Sequence, residues 1–338
     1  MANRTGGLSL LDQETIWKSF NALQSANTTQ QFLHKCYKEL NVTDPEKRAF
    51  ENCYPFIYYL EHGQNYYQLA KQATTSIKPV LLFYGMVQLL KACLLTVDPQ
   101  YPESTSVLAH GVSTRKRKKQ SYEFFQDEVK VQKNGLFTHF SERMFNVNHL
   151  EGEKFTMGVL LKKLPEMNNL FSLHYSEIVS VTIGGGKDQM LHFPVKLADH
   201  FHMTDRRFKD YILTSIPSPL LVDKGNEEKH EAFSFSISNT KRLTPLTCSP
   251  ILYHFYDQSY YFPKDRDQVF HFPEIMVHYL LLYNLSMISR YETEWWSELL
   301  HSYSSNDYPF IQQFLSLTTD KVPYLVYLFL EEKIGFSF

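Results

Sequence analysis

Apolar residues recur at helical spacing through residues 10–70. Leu11, Ile16, Phe20 and Leu23 fall about one turn apart, and Phe32, Leu33, Cys36, Tyr37 and Leu40 form a single stripe within Thr29–Leu40. Thr43 and Asp44 are N-cap candidates ahead of Pro45, a residue suited to a first helical turn. Glu46–Lys71 continues with Phe50, Tyr54, Ile57, Tyr58 and Glu61 on the same period, and Pro55 is expected to end or kink that helix. Pro79 opens a helix over Leu81–Leu95 that is apolar nearly all round, which predicts a central position covered on several sides.

The pattern changes after Asp98. Pro99, Pro102 and a Ser/Thr-rich stretch lead through Ala109-His110-Gly111 to five consecutive cations, which reads as a long connection. Val129 and Val131 flank Lys130 ahead of a turn at Lys133-Asn134-Gly135. Phe137, Phe140 and Met144 suggest a short helix, and Thr156 could cap another that Pro165 stops. From about residue 172 to 262 the period becomes two. Glu177–Ile183 is strand-like, Gly184-Gly185-Gly186 turns into Met190–Val195, and Phe233–Ser238 alternates strictly. Ile251–Phe262 reads as a hairpin turning at Asp257-Gln258, and a helix capped by Thr204 interrupts the β region.

Helical spacing then returns. Pro273 starts a helix carrying Ile275, Tyr279 and Leu282, and shorter helices are expected at Glu294–Leu300, Phe310–Leu317 and Pro323–Leu330. The order of helices, strands and helices predicts a predominantly helical α+β protein. Its expected parts are an N-terminal helical part (1–170), a β-rich insertion (171–265), and C-terminal helices (266–338) that share a core with the first part. No apolar stretch follows a basic start at the N-terminus, and the uncharged run Pro79–Leu90 is too short for a bilayer, so a cytoplasmic, membrane-free protein is expected.

Composition adds three points. Lys+Arg 34 against Asp+Glu 36 gives a formal charge of −2, which argues against a chain built for nonspecific nucleic-acid binding. With a pI near 6.7 it also leaves room for self-association into a homo-oligomer. Aromatic residues reach 15%, so Tyr and Phe must fill both core and boundary positions. The four cysteines, Cys36, Cys53, Cys93 and Cys248, are too far apart for a zinc or dithiol motif, and they read as buried thiols in a reducing compartment.

Tyr54–Gly63, Leu82–Ala92, Ala109-His110-Gly111 and Leu285–Trp296 together resemble the YaaC family of bacterial proteins, in order and across nearly the whole chain. The helical parts resemble HEPN-like helical bundles more weakly. The first resemblance implies little about activity, although genes of that family commonly lie beside the gene for IMP dehydrogenase, which makes that enzyme the partner it implies. The second implies a HEPN-like core and an Arg-x4–6-His ribonuclease motif. Arg143 and His149 have the numerical spacing, but the intervening residues lack the polar neighbour, and the segment is not in the last helix.

Candidate chemistry is sparse. Arg115, Lys116, Arg117, Lys118 and Lys119, with His110 nearby in sequence, form a candidate site for an anion or partner, whether a phosphate ligand, an RNA backbone or an acidic protein. Arg290, Tyr291, Trp295 and Trp296 form a candidate interface cluster, or else a helix corner closed by stacking. Gly184–Asp188 lacks the hydroxyl a phosphate loop needs after its lysine and reads as a hairpin turn. His192, His200 and His202 lie near Asp199 and Asp205 but lack a familiar ligand spacing, so neither a metal nor a cofactor is expected. The function expected is a non-catalytic regulatory or interaction protein acting on a purine-biosynthetic enzyme. The alternative is a HEPN-like ribonuclease or a nucleotide-binding sensor.

Overall fold

The structure, a computed structural model, describes residues 13–114, 122–185, 190–216, 221–223, 231–237, 243–302 and 305–335. The first helices are α1 (Gln13–Ala22), α2 (Ala26–Glu39), α3 (Pro45–Gln72) and α4 (Lys78–Leu95). Strands β1 (Val112–Thr114) and β2 (Glu128–Val131), helix α5 (Leu136–Phe145), strand β3 (Lys154–Thr156) and helix α6 (Met157–Leu161) follow. The middle of the chain forms α7 (Asn168–Tyr175), β4 (Ser180–Gly185), β5 (Met190–Pro194), α8 (Lys196–His200), α9 (Asp205–Ser215), β6 (Leu221–Asp223), β7 (Ala232–Ile237), β8 (Leu252–His254) and β9 (Ser259–Pro263). Helices α10 (Glu274–Tyr291), α11 (Thr293–Ser302) and α12 (Asp307–Ile334) complete it. The fold is α+β and predominantly helical.

The chain forms two compact units. One is helical and draws on both ends of the chain, Leu11–Gly158 and Ile275–Phe338; the other spans Val159–Glu274. In the helical unit α3 packs along α2 and α4, and α12 packs on α1 and α4. α4 is its central helix: Leu82, Phe83, Met86, Leu89, Leu90 and Cys93 are all fully buried. Its length and hydropathy would suffice to cross a membrane, yet 67% of it is buried within the protein. Close contact with α3 depends on Gly85, where an added Cβ would stand 2.8 Å from the Tyr67 ring.

Two proline expectations are corrected. α3 runs unbroken through Pro55, and α12 is one helix through Pro323 rather than two short ones. A helix-interior proline forfeits a hydrogen bond and costs about 3 kcal/mol. Burial of Cys53, Phe56 and Leu60 around Pro55, and of Val322 and Tyr324–Leu330 around Pro323, offsets that cost. Two buried polar contacts lie inside this unit: His278 Nδ1 meets Thr318 Oγ1 at 2.6 Å, and Asn284 Nδ2 donates to Asp127 Oδ2 at 2.9 Å.

The second unit holds two antiparallel three-stranded sheets, β4-β9-β8 and β5-β7-β6. The alternation in β7 places Phe233 and Phe235 inward, beside Phe193, Phe201, Phe208 and Phe262. The hairpin expected at Ile251–Phe262 is present as β8 and β9. The expectation of a hairpin turn at Gly184–Gly186 is corrected. β4 pairs with β9 and β5 with β7, so the two strands flanking the glycines belong to different ladders. Gly186, Lys187 and Asp188 lie outside the described residues. The sequence pattern gives no expectation for the short elements β1, β3, β6, α7 and α8.

Candidate functional site

Three helices of the helical unit contribute incompletely buried residues to one place. On α4 these are Leu81, Tyr84, Gln88 and Lys91; on α10 they include Met287 and Arg290, one and two turns beyond the buried Tyr283; on α3 they include Tyr59 and Tyr66. The spacing of three and four residues sets each group on one helix face. The groups converge. Arg290 Nη1 donates to the Tyr84 hydroxyl at 3.0 Å, with the guanidinium 5.6 Å from the centre of that ring. Tyr66 stacks on Tyr84 at 6.2 Å, and the Lys91 ammonium sits 5.5 Å from the Tyr59 ring centre.

His110 reaches the same place from a loop held on both sides. The Ala109 carbonyl accepts Leu136 N–H at 2.7 Å, and the His110 carbonyl accepts Phe137 N–H at 3.2 Å and the Tyr279 hydroxyl at 2.8 Å. Gly111 (φ +77°) crosses Gly135 (φ +134°) so closely that a Cβ on Gly135 would fall 2.3 Å from the Gly111 backbone. Only glycines permit that crossing, because the left-handed backbone and the contact both exclude a side chain. The imidazole is thereby set among Phe83 at 5.0 Å, Tyr283 at 5.7 Å and Tyr84 at 6.1 Å.

The electrostatics of this cluster are one-signed. Burial, followed by the cations Arg290 and Lys91, holds His110 below its ordinary value, so the imidazole is neutral at pH 7. Burial also lowers the Lys91 ammonium. Arg290 places one N–H each of Nε, Nη1 and Nη2 on the Ser286 carbonyl, the Tyr84 hydroxyl and the Met287 sulfur, which leaves a further N–H on each Nη. Among the described residues neither Arg290 nor Lys91 has a carboxylate partner. A half-buried group of two cations and a neutral imidazole, walled by tyrosines, suits an anion carrying a flat ring.

A second polar cluster follows α4. Asp98 Oδ2 accepts from His139 Nε2 at 2.8 Å and faces Arg143 Nε at 3.8 Å. Burial would raise the Asp98 carboxyl, but the bonds from His139 and the Gln100 amide and the charge of Arg143 outweigh it and hold it low. His139 and Arg143 are one turn apart on α5, a spacing legible in the sequence, whereas their common partner Asp98 is not. His149 lies beyond the end of α5, so the Arg143–His149 pair is not carried on one helix.

The other predicted residues separate. Arg115, Lys116, Arg117, Lys118 and Lys119 lie outside the described residues. Trp296 is a core residue whose indole donates to the Ser76 carbonyl at 3.0 Å, Trp295 packs on Tyr122 at 4.1 Å, and Tyr291 is exposed. His192 bonds Ser234, and His200 pairs with Asp265. Among the described residues no group of three His, Cys, Asp or Glu is placed to hold a metal. The structure therefore joins His110 to Arg290, drawn from two separate sequence motifs, and adds Lys91, Tyr84 and Tyr283, which the sequence does not single out as site residues.

Comparison with known proteins returns no match among curated proteins and none among solved structures. A family model described as YaaC-like protein matches residues 21–330. That span includes every element from α2 through most of α12, and the chain belongs to the YaaC-like family.

Proposed function

We propose that this is a non-catalytic regulatory protein of the cytoplasm whose helical unit binds a nucleotide-like ligand at His110, Lys91 and Arg290. A phosphate would take the Lys91 and Arg290 charges, the neutral imidazole would supply a directional hydrogen bond, and a base would lie against Tyr84 or Tyr283. The observation that carries this reading is the convergence of two cations lacking carboxylate partners with a histidine on one tyrosine-walled surface. A purine nucleotide, with a purine-biosynthetic enzyme such as IMP dehydrogenase as protein partner, is the reading that the family's gene neighbourhood favours.

The test is calorimetry and thermal shift of the full chain against inosine, guanosine and adenosine nucleotides, the matching nucleosides and inorganic phosphate. One nucleotide should raise the unfolding temperature by mass action. Arg290→Ala and Lys91→Ala should each weaken it at least about tenfold, the loss of one charge-assisted contact. Failure of every nucleotide to bind, or equal binding by both variants, overturns the ligand. Failure of IMP dehydrogenase to co-purify with or without that nucleotide overturns the partner.

A further inference from the structure

The outer face of α3 carries an aromatic ridge that the site above does not use. Phe50, Tyr54 and Tyr58 are spaced one turn apart and are 66%, 51% and 54% exposed. The Tyr54 and Tyr58 rings lie 6.1 Å apart. Tyr59 and Tyr66, which face the His110 cluster, lie on another side of the same helix. Three large exposed rings in one line are uncommon on a monomer and mark an interaction surface.

The charges flanking the ridge identify the occupant. Lys47 and Glu61 are each seven residues from Tyr54, on opposite sides, and Phe50 and Tyr58 are each four residues from it. At 3.6 residues per turn all of these fall on the face centred on Tyr54. Both Lys47 and Glu61 are exposed, and neither has an ion-pair partner among the described residues. A second α3 laid antiparallel, with the two-fold axis at Tyr54, puts Lys47 level with Glu61 of the other copy, twice over. The same operation sets Phe50 level with Tyr58 and Tyr54 against Tyr54. A parallel arrangement would set like charges together. Pro55, lacking an N–H, leaves the Glu51 carbonyl without its usual helical donor beside this face, available to a tyrosine hydroxyl of the other copy.

We propose that the protein is a two-fold homodimer through antiparallel α3 ridges, its register set by reciprocal Lys47–Glu61 pairs around Phe50, Tyr54 and Tyr58. Such isologous contacts need a self-complementary patch, which this ridge supplies.

The test uses the full chain: sedimentation velocity of the wild type, Tyr54→Glu, Lys47→Glu and Glu61→Lys. The wild type should sediment as a dimer at micromolar concentration and Tyr54→Glu as a monomer. Each charge reversal creates two like-charged contacts and should weaken the dimer on the order of tenfold or more. A mixture of the Lys47→Glu and Glu61→Lys chains makes both contacts complementary again and should restore the dimer as a heterodimer. All three substituted positions are exposed, and circular dichroism verifies that each variant is folded. A monomeric wild type, a dimer unaffected by Tyr54→Glu, or a mixture no more associated than its components overturns the proposal. None of these outcomes bears on nucleotide binding.

Discussion

The two units handle positive charge in opposite ways. In the Val159–Glu274 unit, Lys163 is 3% exposed, its ammonium lies 3.9 Å from the Phe270 ring centre, and among the described residues it has no hydrogen-bond partner. In the helical unit, Arg290, Lys91 and His110 stay at the boundary, with rings on one side and solvent on the other. A sealed cation is relieved only by losing its proton, whereas a cation at a boundary is relieved by an arriving anion. The first makes stability depend on pH, and the second makes a binding site.

The largest effect expected from this contrast is at Lys163. Burial pushes its pKa down from 10.5 to about 7, with Asp267 opposing and Lys162 adding to the shift. Between those two values the unfolded chain holds a proton that the folded one has released. Stability therefore rises with pH from about 7 to 10.5, and below 7 the full penalty of a buried charge is present. Lys163→Met should remove that slope and stabilise the unit on the order of 4 kcal/mol at pH 6, measured by denaturant unfolding across the pH range. An unchanged slope would mean that Lys163 is not sealed.

Asp98 gives an intermediate effect of the opposite origin. Its carboxyl is held below its ordinary value, so its contribution is complete above the ordinary carboxylate range and is lost as pH falls through the lowered value. Asp98→Asn should cost about 2 kcal/mol at neutral pH, the worth of a charge-assisted hydrogen bond, and should flatten the acid limb of the stability curve. Chemical denaturation at pH 7 and at mildly acid pH separates the two consequences.

The smallest effect on stability, and the sharpest test of the boundary site, is Arg290→Ala. With that cation gone the His110 pKa should move up toward its ordinary value, because a charge opposing protonation has been removed. Histidine NMR titration reads the shift directly, and Lys91→Ala should move the same resonance in the same direction. A His110 resonance indifferent to both variants would dissolve the cluster.

Much of the fold was legible and the site only in part. The period of Phe32, Leu33, Cys36 and Tyr37 located α2, and the apolar content of Leu81–Leu95 marked α4 as central, because burial demands those patterns. Pro55 and Pro323 misled, since local propensity is outweighed where a helix is buried along its length. The three residues of β1 and of β3 are too few to show alternation at all. His110 stood out in its glycine-flanked motif, and Arg290 in its aromatic one, but nothing in either motif points to the other.

The sequence by itself determined where the long helices and the longer strands lie and which of their faces must be covered, because those follow from spacing and apolar content over a few turns. It also carried the glycines at 111 and 135, whose left-handed backbone is a local requirement. Only the tertiary structure decided that Tyr84 and Lys91 are at the boundary of an otherwise buried helix, and that Arg290 and His110 lie beside them. Those relations depend on which helix packs on which, a property of contacts between residues as far apart in sequence as Tyr84 and Arg290, and no local pattern encodes it.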